Sequence, residues 1–125
     1  MKNKLRKISI DSLEYLYSVT DKFYSANNNT LTVRIYLNGH KQTPLIIEFV
    51  TLDHYYKGQI LNSGVSLANK ITGTIDSVNI NEPKYIKQLI LLGLKNGWTG
   101  DNKIGNQDGM NYLKELGYET NVLIP

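Results

Sequence analysis

The chain has 125 residues, 41% of them hydrophobic and 20% charged, which is enough for about one globular domain with a modest core and too apolar for a disordered chain. It contains no cysteine, so disulfide frameworks, zinc–thiolate sites and a cysteine nucleophile are excluded. The net charge of +3 is local: four of the 14 basic residues (Lys2, Lys4, Arg6 and Lys7) fall in the first seven positions, which leaves 10 basic against 11 acidic residues from Ile8 onward. Residues 1–7 therefore read as a basic N-terminal arm on a single domain spanning 1–125. A nucleic-acid-binding face, by contrast, needs its positive charge clustered on the fold itself. Asp11 and Glu14 interrupt what would be the apolar core of a signal peptide, and the longest apolar run, Leu89 to Leu92, is far short of the roughly 18 residues of a membrane span. A cytoplasmic location is the expectation.

Leu5 to Ile10 alternates as a first strand, Asp11-Ser12 forms a turn, and Leu13 to Thr20 alternates again with β-forming residues at Tyr15, Tyr17 and Val19. Ser25 to Asn29 is a polar turn. From Thr30 to Leu37 the alternation sharpens, with Leu31, Val33, Ile35 and Leu37 on one face. Asn38-Gly39 predicts a type I′ hairpin turn into a strand from Thr43 to Thr51, whose Leu45, Ile47 and Phe49 face the core. Pro44 suits the start or edge of that strand. Asp53 to Gly58 is a connection. Two short strands, broken at Gly64 and Gly73, are expected within Gln59–Leu67 and Lys70–Ile80.

The best-defined stretch runs from Asn81 to Trp98. It predicts a helix over 82–96, with Asn81 as N-cap, Pro83 in the first turn where its missing N–H has no partner to lose, and Gly97 as the left-handed stop. At about 100° per residue, Ile86, Leu89, Ile90, Gly93 and Leu94 share one face, widened by Tyr85 and Leu92, while Lys84, Lys87, Gln88 and Lys95 face away. Such a helix is marginal alone and needs a sheet to cover its apolar stripe. Leu91 falls among the polar positions and reads either as a scattered surface residue or as a partner contact. After a polar loop over 99–107, Asp108 caps a short helix from Gly109 to Leu116 that stops at Gly117, and Tyr118 to Ile124 is expected to return as a strand. The fold class is α+β: an antiparallel β-meander sheet packed against one main C-terminal helix, plus a short second helix.

Motifs for chemistry fail on inspection. Gly64-Val65-Ser66-Leu67-Ala68 lacks the second glycine of a nucleophile elbow, and no phosphate-binding glycine loop or metal-ligand spacing occurs. The segment from Asp101 to Tyr112 has Lys103, Asn106 and Tyr112 where a calcium loop needs an oxygen ligand, a glycine and a bidentate acid. His40 sits at a hairpin tip. His54, beside Asp53, is the better-placed candidate base for a small hydrolase, but adjacent residues of an extended chain point to opposite faces. The expectation is no catalytic residue, no cofactor and no metal. Nine tyrosines and Trp98 suit an interface, since such rings bury large areas and keep a polar tip. Tyr55, Tyr56, Leu91 and Trp98 are the partner-contact candidates, although Trp98 also reads as a residue that folds back to seal the core.

Pro83-x-x-Ile86-x-x-Leu89-Ile90, followed by Gly93-Leu94-x-Asn96-Gly97-Trp98, resembles small uncharacterised bacterial proteins in which a β-meander precedes a helix ending in a glycine–tryptophan pair. Here Thr99-Gly100 follows the tryptophan where a proline-containing tail is usual. The resemblance implies an accessory bacterial protein, including immunity proteins that neutralise a neighbouring toxin, and it carries over no catalytic residue. The expected function is thus a non-enzymatic protein-binding domain acting as an immunity-like inhibitor of an unidentified partner protein. The alternatives are a nucleic-acid-associated module using the arm, and a hydrolase using His54.

Overall fold

The computed structural model describes residues 5–25, 28–54 and 58–123, leaving aside the side chains of 53 and 54. Four antiparallel strands make the main sheet: β1 (Arg6–Ile10), β2 (Leu13–Ser25), β3 (Asn28–Leu37) and β4 (Leu45–Thr51). A two-residue strand further along the chain adds to the β4 edge in parallel. Tyr15 and Tyr17 of β2, Leu31, Val33 and Ile35 of β3 and Leu45, Ile47 and Phe49 of β4 are all buried, so one face of the sheet carries the core, as the period-two pattern requires. Asp11 and Ser12 both adopt positive φ (50° and 69°), giving the β1–β2 hairpin the backbone of a type I′ turn without glycine.

Between β3 and β4 the expected I′ turn at Asn38-Gly39 does not form. Only Gly39 has positive φ (92°), the His40 N–H reaches the Leu37 carbonyl at 2.8 Å, and the chain loops through Pro44 before β4 begins. The reason lies across the sheet. Asn38 donates its backbone N–H to the Glu14 carbonyl (2.9 Å) and its amide to Glu14 Oε1 (2.7 Å), so it extends the ladder to β2 instead of turning.

After β4, β5 (Asp53–His54) pairs with β6 (Gly58–Gln59). Gln59 then caps a one-turn helix, α1 (Ile60–Ser63), by accepting from the Leu61 N–H at 3.1 Å, so the stretch expected as strand from Gln59 is helical at first. The strand pair follows as β7 (Val65–Ala68) and β8 (Ile75–Val78). Gln59, Thr51 and Asn29 form a buried polar knot: Gln59 Nε2 donates to the Asn29 carbonyl (2.7 Å), and Thr51 Oγ1 donates to Gln59 Oε1 (3.2 Å).

The longest helix, α2 (Pro83–Lys95), buries Tyr85, Ile86, Leu89, Ile90 and Gly93, each of the aliphatic ones contributing roughly 1.5–3 kcal/mol. Its N-cap is Glu82, not Asn81, and no side chain caps it; the Asn81 amide turns away to Asn62 of α1. Leu94 is exposed, not part of the buried stripe, because the helix is ending where it lies. The strand β9 (Gln107–Asp108) pairs in parallel with β4 and leads into α3 (Gly109–Glu115), capped by Asp108 accepting from the Met110 N–H at 2.9 Å.

Both helices end in one way. In α2 the Trp98 N–H bonds the Gly93 carbonyl (2.9 Å) across Gly97 at φ 108°, and in α3 the Tyr118 N–H bonds the Leu113 carbonyl (3.0 Å) across Gly117 at φ 99°. In each case the aromatic ring after the glycine is buried. The expected last strand is instead a single bridge, Asn69 to Tyr118, followed by a 3-10 turn over Asn121–Leu123. Leu123 is spent as an anchor: it is fully buried and its carbonyl accepts from the Leu52 N–H at 2.9 Å. Ile124 lies outside the described residues. The result is a mixed α+β structure with a mostly antiparallel sheet and a few helices.

Candidate partner-binding surface

Among the described residues, Tyr15, Tyr17, Tyr85, Tyr112 and Tyr118 are buried and act as structural residues. Tyr118 donates its hydroxyl to Asp76 Oδ2 (2.8 Å) and meets the Tyr85 ring edge-on at 6.4 Å, while the Tyr85 hydroxyl reaches the Ser77 carbonyl (3.1 Å). Burial pushes the Tyr118 hydroxyl well above the ordinary tyrosine range, helped by the Asp76 carboxylate, and burial also raises Tyr15 and Tyr112. These hydroxyls stay protonated and are poor proton acceptors at neutral pH.

Trp98 is 1% exposed, its indole N–H donates to the Thr43 carbonyl (3.0 Å), and its ring lies 5.9 Å from that of Tyr15. It seals the core and offers a partner no free face. Leu91 is 44% exposed on the outer side of α2. Tyr55 and Tyr56 lie outside the described residues, as does the His54 side chain. His40 is exposed and lines an open cleft of about 570 Å³ with Lys41, Gln42, Thr43 and Asp101. Among the described residues no three His, Asp or Glu side chains gather as a metal site would require, and no helix is long and apolar enough to cross a membrane.

The basic arm is only partly an arm. Arg6 and Lys7 begin β1, and the Arg6 guanidinium donates to the Asn81 carbonyl (3.2 Å) and lies over the Tyr17 ring at 5.7 Å, so this exposed side chain is held against the fold. Residues 1–4 lie outside the described residues.

Sequence reasoning passed over the far end of β2. Phe23 and Tyr24 are 59% and 58% exposed, with the Lys22 ammonium 5.1 Å from the centre of the Tyr24 ring. A signal was present: two adjacent aromatics directly before the polar Ser25–Asn29 turn, where nothing obliges a large apolar residue. The strand positions them beyond the core. β1 covers β2 only from Leu13 to Tyr17, and Asp21 to Ser25 are exposed. A separate shallow groove of about 330 Å³ lies between Ala68, Ile75 and Val122, the last two well exposed. Comparison with protein-family models, with curated proteins and with solved structures finds no match for this chain.

Proposed function

We propose that this chain is a non-enzymatic protein-binding domain of the bacterial cytoplasm, in its sharpest form an immunity-like inhibitor that occludes a partner protein. The observation that carries this reading is the pair Phe23 and Tyr24, more than half exposed at the end of β2. Large aromatic area in water is unfavourable for a monomer and is the composition from which protein interfaces draw their anchors. Leu91 and Leu94, flanked by Lys87 and Lys95, offer a second apolar spot on α2. The engagement of Arg6 within the fold weighs against the arm as a nucleic-acid grip.

The test uses the purified chain as bait in lysate of its own source, washed at low and at high salt, beside a Phe23→Ala/Tyr24→Ala double variant. A protein retained at high salt by the wild type and lost by the variant supports the reading. Nucleic acid released by salt supports the arm instead.

A further inference from the structure

The alternation of the sheet fixes which backbone groups of β2 face outward. Asn38 donates to the Glu14 carbonyl, and the β2–β3 register runs from Tyr15 opposite Leu37 to Phe23 opposite Asn29, so the even-numbered residues of β2 exchange hydrogen bonds with β3. The odd-numbered ones point the other way. Leu13, Tyr15 and Tyr17 spend theirs on β1, where they face Ile10, Ile8 and Arg6. Beyond Tyr17, no described residue pairs with β2 on that side, so among the described residues the N–H and C=O groups of Val19, Asp21 and Phe23 form an open row.

Resting on the protein-binding reading above, we infer that this open edge, Ser18 to Tyr24, is a strand-addition site that takes an extended segment of a partner protein. A row of alternating donors and acceptors on a straight strand is satisfied most fully by another extended backbone. The side chains state what that segment carries. Val19, Asp21 and Phe23 project on the core side and Thr20, Lys22 and Tyr24 on the other. The incoming strand therefore sets apolar residues opposite Val19 and Phe23, a basic one opposite Asp21 and an acidic one opposite Lys22.

A second copy of this chain fits poorly. The open stretch is centred on Asp21, so symmetric antiparallel addition sets Asp21 against its own counterpart, and moving the two-fold axis by one residue, a two-residue slip of register, does the same with Lys22. Lys22 and the register shift between Phe23 and Ser25 are also devices that guard an edge against pairing. A guarded edge, however, has no use for two aromatic side chains in water, whereas a docking edge does.

The probe is a phage-displayed library of random twelve-residue peptides selected on the immobilised full chain, with recovered peptides measured against wild type, Asp21→Ala and Asp21→Pro. Proline at position 21 removes an outward N–H and leaves the bonds to β3 intact. Alternating, proline-free peptides that bind Asp21→Pro about tenfold more weakly, the equivalent of one hydrogen bond, but keep most of their affinity for Asp21→Ala, support strand addition. If Asp21→Pro fails to fold, the wild-type complex decides: protection of the Val19, Asp21 and Phe23 amides from exchange supports the proposal, and its absence overturns it. Peptides indifferent to proline, no enriched peptide, or self-association lost in Asp21→Pro each overturn it. A lysate partner that binds Asp21→Pro normally and fails on Phe23→Ala/Tyr24→Ala leaves the protein-binding reading standing and removes strand addition alone.

Discussion

Gly93 on α2 is where two physical effects of opposite sign meet, and the structure says which wins. On an exposed helix face, Gly→Ala stabilises by about 1 kcal/mol through backbone entropy and propensity. At Gly93 an added Cβ overlaps Cδ2 of Leu45 and stands 3.2 Å from its Cδ1 and 3.3 Å from its Cγ. Leu45 is fully buried on β4, so its side chain has no free space in which to turn. Overpacking of this kind costs about 1–3 kcal/mol, or requires α2 to lift off the sheet and open the contacts of Leu89 and Ile90. The clash outweighs the gain in helix propensity, and Gly93→Ala is expected to lose about 1–2 kcal/mol net, read as a lower urea midpoint at unchanged slope. For a chain of this size that corresponds to a fall in Tm of about 4–8 °C. In a Leu45→Ala background the new methyl meets a cavity, so the double variant should be more stable than the sum of the singles by about 1 kcal/mol. A Gly93→Ala protein as stable as wild type, or more so, refutes the close approach of α2 to β4.

Three other positions carry expectations of their own. Ser12→Gly should stabilise by about 0.5 kcal/mol, because a serine at φ 69° bears a left-handed strain that glycine lacks, partly offset by glycine's freer unfolded chain, while Ser12→Val should lose about 1 kcal/mol or more; urea midpoints of the two variants must move in opposite directions. Asp108→Ala removes the cap of α3 and should cost about 1 kcal/mol in the same assay, with Asp108→Asn near wild type. Tyr15, Tyr112 and Tyr118 titrate above their unfolded value near 10, so the folded state holds protons that the unfolded state gives up. Their stability contribution is complete below pH 10 and is lost above it, at up to about 1.4 kcal/mol per pH unit for each tyrosine, whereas a melting temperature that rises between pH 10 and 11 contradicts their burial.

What could be read in the sequence were features in which local and distant demands agree. Leu31, Val33 and Ile35 facing Leu45, Ile47 and Phe49 follow from alternation alone, and the glycine that ends each helix follows from its position after a buried stripe. Asn38-Gly39 misleads because its local preference for a hairpin turn yields to Glu14, which lies 24 residues away and captures both polar groups of Asn38. Asn81 misleads likewise, its amide going to Asn62. Val122 and Leu123 read as strand because an apolar run has the same composition whether it pairs or merely anchors a turn. Of the contact residues expected, Leu91 could be placed by its angle on the helix, and the reading of Trp98 as a ring that folds back after the glycine stop to seal the core is the one that its burial matches. The open edge of β2 was illegible for a different reason: whether a strand has a neighbour is a property of pairing, and β1 ends opposite Tyr17 without any mark in β2 itself.

The measurement that bears most directly on the open edge is residue-by-residue amide hydrogen exchange along β2 in the free, full-length chain. Ser18, Thr20 and Lys22, bonded to β3, are expected to exchange slowly, and Val19, Asp21 and Phe23, facing outward, to exchange fast, in strict alternation. Equal protection of both sets would mean that the edge is already covered within the free protein, and would contradict a strand-addition site there.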